Sequence, residues 1–219
     1  MPGTAKDEVV AAPERRRYES PRRQLQAAQT REAVIASAAR LFSERGWAGT
    51  GMRDVAREAG VSVETVYATV GSKADLLSSV LDVGVVGDDE PVALADRPEY
   101  SALDVGSREE RLAAAGRLLR SIYERSAGAD IALREAAIVD PALAKRLEEG
   151  RDRQRENVRD AAGLVLGRPV GDAEADELWV VISFEVYRLL VQSAGWSPEK
   201  YQDWVASILA RMYPAADDH

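Results

Sequence analysis

One stretch constrains this 219-residue chain more than any other: Thr50–Lys73, reading TGMRDVAREAGVSVETVYATVGSK. Val55, Ala56 and Ala59 recur at helical spacing, and Val66 and Val70 do so again at i and i+4. Between the two apolar sets, Gly60 can take the left-handed conformation that ends a helix. Val61 can plug the core below, and Ser62 can cap the next helix. The pattern predicts two short helices, Met52–Ala59 and a second running to Val70, joined by a Gly-Val-Ser turn. Gly51 stands where the first needs an N-cap. This is the shape of a helix-turn-helix over residues 51–70, whose second helix can enter the major groove of DNA.

Composition narrows the chemistry. The chain has no cysteine and its single histidine is the terminal His219. Disulfides, thiolate nucleophiles and Cys-based zinc sites are excluded, and the usual general base is missing from the interior. No catalytic residue, metal ligand or cofactor is expected, and an enzyme would have to work with Glu135 or Glu185 alone. No apolar run approaches the length of a membrane span, and no charged start followed by a short apolar core is seen. The protein is therefore expected in the cytoplasm, without a membrane partner. The net charge of −8 is unevenly placed: 12 basic residues face 11 acidic ones through Val83, and 17 face 26 from Gly84 on. The negative balance belongs to the C-terminal part and says little about the first.

Residues 1–29 lack a helical or strand period and contain Pro2, Pro13 and Pro21, which predicts a disordered arm. Its arginines, Arg15, Arg16, Arg17, Arg22 and Arg23, suit either an arm laid on phosphates or a minor groove, or a solvated tail. From Thr30 to Arg45, Val34, Ile35, Ala38, Leu41 and Phe42 form a helical stripe that Gly46 stops, with Trp47 capping the small core. On the second motif helix, Val63, Glu64, Thr65, Tyr67, Ala68 and Thr69 are left on or near the outer face. Val63 and Ala68 suit a thymine methyl, Glu64 a cytosine amino group, and the hydroxyls of Thr65 and Tyr67 suit phosphate oxygens. Lys73, at the start of the next helix, adds a cation beside free backbone N–H groups. The alternative is a three-helix subdomain with a neutral surface that binds no nucleic acid.

The run Arg31–Leu77 resembles the DNA-binding domain of the TetR family of bacterial transcriptional regulators. Ala39, Leu41-Phe42, Gly46, Thr50, Val55-Ala56, Ala59-Gly60-Val61-Ser62, Thr65, Tyr67, Ser72-Lys73 and Leu76-Leu77 carry the likeness. The family more often has Thr or Ser at position 51 and Phe at position 70, where this chain has Gly51 and Val70. The resemblance implies an all-α protein with an N-terminal helix-turn-helix domain over 30–76 and a helical effector-binding and dimerisation domain over 77–219. It implies phosphate anchors at Thr65, Tyr67 and Lys73, and places Val63, Glu64, Ala68 and Thr69 nearest the bases. Thr50, Gly51, Arg53 and Ser62 complete the expected DNA-binding set.

Beyond the motif, a fourth helix is expected from Ser72 to Val83, then a loop over 84–106 with a short turn near Ala102. Ser107-Arg108-Glu109-Glu110 is a capping box, opening a helix through Tyr123. A separate helix over Ile131–Val139 ends at Asp140-Pro141, and a charged one runs to about Leu166. An apolar helix is expected from Asp172 to near Gly195, and a last one from Pro198. The final two are apolar over more than one face, which fits a homodimer whose interface includes Trp179, Val186, Leu190, Trp204 and Ile208. Two copies would set their recognition helices about one DNA turn apart. The family's C-terminal domain often holds a small-molecule pocket, for which Tyr123, Arg134, Glu135, Ile138, Glu185 and Tyr187 are candidates. Glu185 either meets a ligand or pairs with an arginine such as Arg134 or Arg188. The expected partners are double-stranded operator DNA, a second copy of the chain and a small effector that releases a repressor. The competing expectation is a helical interaction protein without sequence-specific DNA binding.

Overall fold

Side-chain oxygens set most helix starts in this chain. Ser62, Ser72, Ser107, Ser183 and Ser197 each accept the backbone N–H three residues on, and Asp140 accepts those of Ala142 and Leu143. Each thereby satisfies a donor that the first helical turn leaves without a partner. The computed structural model describes residues 21–214, and every regular element among them is a helix. In chain order these are α1 Pro21–Arg45, α2 Met52–Ala59, α3 Val63–Val70, α4 Lys73–Val86, α5 Pro98–Ser101, α6 Arg108–Ala137 and α7 Pro141–Leu166. After them come α8 Asp172–Val181, α9 Phe184–Tyr187 and α10 Pro198–Met212.

Two hydrophobic cores result. The first joins Val34, Leu41 and Phe42 of α1 to Val55, Val66, Leu76 and Leu77, and it takes in Ala129, Ala132, Leu133, Ala136 and Leu143. It therefore reaches past the helix-turn-helix into the end of α6 and the start of α7. The second gathers Leu112, Tyr123, Val158, Leu178, Ile182, Tyr187, Tyr201 and Val205. Helix α6 belongs to both and packs against α1, α4, α7 and α10.

Several expectations are corrected. Helix α1 begins at Pro21, so Arg22 and Arg23 are helical rather than part of a disordered arm; Arg15, Arg16 and Arg17 lie outside the described residues. Residues 21–29 are all exposed, so this stretch carries no burial pattern for periodicity to detect. Helix α4 runs on to Val86, and the 84–106 segment holds a 3₁₀ turn at Leu94–Asp96 as well as α5.

Helix α6 is one helix of 30 residues where two were expected. Gly128 sits mid-helix because α1 crosses there. A Cβ on Gly128 would lie 2.5 Å from Ser43 Oγ and 2.7 Å from Ser43 Cα. Conversely, the expected Asp172–Gly195 helix is broken. Ile182 leaves helical geometry, Ser183 caps α9, and Arg188–Ser193 forms a π-helical turn. The Tyr123 hydroxyl donates to the Ile182 carbonyl at this break.

Candidate functional site

The helix-turn-helix is built as its residues suggest. Gly60 ends α2 at φ 68°, the left-handed region that costs glycine nothing. Val61 N–H returns to the Ala56 carbonyl, closing the turn. Ser62 Oγ accepts Thr65 N–H at 3.1 Å and starts α3. With Val66 and Val70 buried, α3 exposes Glu64, Tyr67 and Ala68, leaving Val63, Thr65 and Thr69 half-buried at its edges. Tyr67 is 51% exposed on this face. The Glu64 carboxyl is held below its usual range by its own backbone N–H and the Ser62 hydroxyl.

Other expected DNA contacts are placed less freely. Thr50 is buried, and its hydroxyl donates to the Gly46 carbonyl, so it holds the turn after α1. Thr69 donates to Thr65 O, and the Thr65 hydroxyl lies 3.0 Å from Ser62 Oγ. Gly51 is the N-cap of α2 without a side-chain bond, and Arg53 is exposed on that helix. Lys73 opens α4, and its ammonium bonds the Trp47 carbonyl and sits 4.1 Å from the centroid of the Trp47 ring. Partial burial lowers its pKa. Trp47 in turn stacks on Phe42 and donates its N–H to Glu135 Oε2 at 2.8 Å. The turn before the helix-turn-helix is thus gripped from α4 on one side and α6 on the other.

Next to α6 lies a cavity of about 570 Å³ between α4, α6, α7 and the 90–94 segment. Its walls are mainly apolar, with Leu119, Ile122, Val158 and Leu178 among them. Of the six effector candidates only Tyr123 and Arg134 line it. Glu135 faces the opposite way, toward Trp47, and Ile138 is 83% exposed where α6 runs out. Tyr187 is buried against Tyr123 and Tyr201 as part of the core. Glu185 pairs with Arg134 at 2.7 Å, and Arg134 also bonds Asp130 at 2.7 Å. Sequence reasoning missed Asp130, whose burial raises its carboxyl pKa against the lowering effect of Arg134. The signal was present: Asp130 and Arg134 stand at i and i+4.

The segment over the cavity is tied across itself and, at its start, to α1. Arg97 forks onto Asp88 at 2.6 and 2.8 Å, pulling that carboxyl down to about 2. Arg31 of α1 bonds Asp89 and also reaches the Thr69 carbonyl at 3.2 Å, touching the end of α3. Of the expected dimer residues, Trp179, Val186, Leu190, Trp204 and Ile208 are all only partly buried, and Val180 and Leu189 beside them are more than half exposed. No group of three or more His, Asp or Glu able to hold a metal occurs among the described residues. Among them, no helix is long and apolar enough to cross a membrane.

Residues 34–80 match the family model of bacterial regulatory proteins, tetR family. No curated protein matches the chain. Among solved structures, a TetR-family transcriptional regulator from Rhodococcus sp. is similar over 84% of this chain and 97% of its own, at 19% identity and a TM-score of 0.60. One from Mesorhizobium loti gives 87% and 99%, 19% identity and 0.59. The regulator AibR, solved in complex with isovaleryl coenzyme A and operator DNA, gives 82% and 97%, 19% identity and 0.56. At residues 34–80 the chain therefore carries the helix-turn-helix segment of the tetR family of bacterial regulatory proteins, on the fold of TetR-family transcriptional regulators.

Proposed function

We propose that the chain is a homodimeric repressor that binds double-stranded operator DNA through α3 and is released by a small effector held in the cavity beside α6. One observation carries this reading. A single helix, α6, forms the cavity wall at Asp130 and Arg134 and, at the very next residue, grips the turn that leads into the helix-turn-helix. A ligand that binds better to one pose of α6 shifts the population of helix-turn-helix poses with it. The half-exposed apolar band on α8, α9 and α10 supports the second copy, which a near-neutral reading domain needs for tight binding. Tyr67 and Lys73 are the phosphate anchors, and Lys73 leaves the Trp47 carbonyl when it engages DNA. The protein works in the cytoplasm, and no catalytic step is required of it.

The test is a gel shift on the DNA upstream of the protein's own gene, with light scattering to fix the oligomeric state. The expected result is a two-copy complex, weakened by Tyr67→Phe with Lys73→Ala and with a smaller salt slope in that variant. If no selected sequence binds better than random duplex, the reading fails.

A further inference from the structure

The cavity follows the seam between α6 and α7. These helices are joined by the short turn at Ile138–Asp140 and run antiparallel: Arg111 bonds the Val165 carbonyl at 3.0 Å, and further along Gln154 meets the Tyr123 hydroxyl. Residues lining the cavity run from Ala115 to Arg134 on α6 and from Arg146 to Leu166 on α7. At about 1.5 Å per residue, each set spans about 28–30 Å. A volume of about 570 Å³ spread over that length has a mean cross-section of about 20 Å², so the cavity is a channel rather than a round chamber.

Polarity is divided along this channel. Its charged residues on the two helices, Asp130, Arg134, Arg146, Arg151 and Arg153, all lie toward α4, where Asp82 and Glu90 join them. Before Tyr123 on α6, and after Asn157 on α7, every lining residue of the two helices is apolar. Within the polar half the charges cancel. Asp82 pairs with Arg146 at 2.9 Å, Arg134 holds both Asp130 and Glu185 at 2.7 Å, and Arg151 acts on Asp130 as well. With Glu90 and Arg153 included, four carboxylates stand against four guanidiniums.

From this division we infer that the channel takes one linear chain of about ten carbons with an uncharged polar head, its tail toward Leu166 and its head toward α4. This deepens the effector reading above and rests on it only for the consequence at DNA. The apolar stretch of α7, Val158–Leu166, is about 12 Å long, which holds about ten methylenes at about 1.25 Å each. An ion entering the polar half gives up hydration and meets no net opposing charge, whereas a hydroxyl or amide gives up far less. A caged body of the same carbon count is wider than the channel.

The experiment uses the full chain, with calorimetry and thermal shift reading binding in the absence of DNA. Hexanol, octanol and decanol test length; decanoate and decyltrimethylammonium test charge; 1-adamantanol, with decanol's carbon count and hydroxyl, tests shape. All are used below their solubility or micellar limits. Affinity is expected to rise roughly fourfold per added methylene from hexanol to decanol. Decanol should bind about tenfold or more tightly than either ion or the cage. Ala162→Phe places a ring across the apolar half one turn beyond Val158, so it should keep hexanol and erase the gain from hexanol to decanol. Ala161→Phe serves as the same plug if the first variant does not fold. No binding by any alcohol, an ion or the cage matching decanol, or no gain with chain length would each overturn the inference. So would a folded plug variant whose alcohol series is unchanged or wholly lost. Decanol that binds as expected yet leaves the operator complex intact in a gel shift would sink effector release and leave the ligand class standing.

Discussion

Replacing Gly128 by alanine sets two effects of known size against each other. Alanine is the better helix former by about 1 kcal/mol in a helix interior, so propensity alone predicts a more stable α6. The new methyl, however, would lie 2.7 Å from Ser43 Cα and nearer still to its Cβ, atoms fixed to the α1 backbone that cannot swing aside. Inserting a methyl into such a contact costs roughly 1–3 kcal/mol. The steric cost outweighs the propensity gain, and Gly128→Ala should destabilise by about 1 kcal/mol. For a chain of this size that lowers the melting temperature by roughly 2–4 °C. Gly150→Ala on α7, where a Cβ meets nothing within 4 Å, has only the propensity gain and should raise it by a similar amount. Thermal denaturation is measured for both variants and for Gly128→Ala combined with Ser43→Gly. Ser43→Gly removes the Cβ and Oγ but leaves the Cα, so it should recover part of the stability lost to the first substitution, as a double-mutant cycle reads it. A Gly128→Ala protein as stable as the parent, or one that Ser43→Gly cannot rescue, would refute the close approach as the reason for that glycine.

Three other outcomes are expected. Ser62→Ala removes the cap of α3 and should cost about 1 kcal/mol in a urea titration, with a further loss of operator affinity because the reading helix frays. Asp88, held by Arg97, should titrate near 2 by NMR and return toward its ordinary 3.8 in Arg97→Ala. Because its folded pKa is depressed, this pair supports the covering segment fully above about pH 4 and releases it as the pH falls through 2. Glu135→Ala leaves the Trp47 N–H without its acceptor and should cost roughly 1 kcal/mol; hydrogen exchange at that amide should quicken while the core of α10 is unchanged.

Legibility in the sequence follows burial and local chemistry. Ser62, Ser72, Ser107, Asp140 and Ser197 can be read as caps because a cap acts within three residues of itself. The helix-turn-helix is legible to the residue, Gly51 through Val70, because Val55, Ala56, Val66 and Val70 are buried at helical spacing in one core. The fully exposed first turns of α1 carry no such pattern, so their sequence resembles that of a disordered arm. The continuity of α6 through Gly128 is hidden because the contact that calls for glycine there, with Ser43, lies 85 positions away. The break at Ile182–Ser183 is hidden because an apolar stretch gives the same periodicity on either side of a change in helix type. Polarity on α6 is an equally blunt guide to the cavity. One residue separates Arg134, which lines the chamber, from Glu135, which faces the other way, and only the helix's rotation decides between them.

The continuity of α6 gives it mechanical advantage. At about 1.5 Å per residue, its crossing with Gln202 of α10 at Gly116 lies about 28 Å from Glu135. A stiff rod pivoting at that crossing moves its far tip by about half an ångström for each degree of tilt. A tilt of about four degrees would therefore carry the Glu135 carboxylate some 2 Å, enough to part it from the Trp47 N–H it now meets at 2.8 Å. Had the chain folded into the two separate helices expected through Tyr123 and over Ile131–Val139, a joint between them would absorb that motion. One unbroken rod would deliver it instead to the turn at Trp47, before α2.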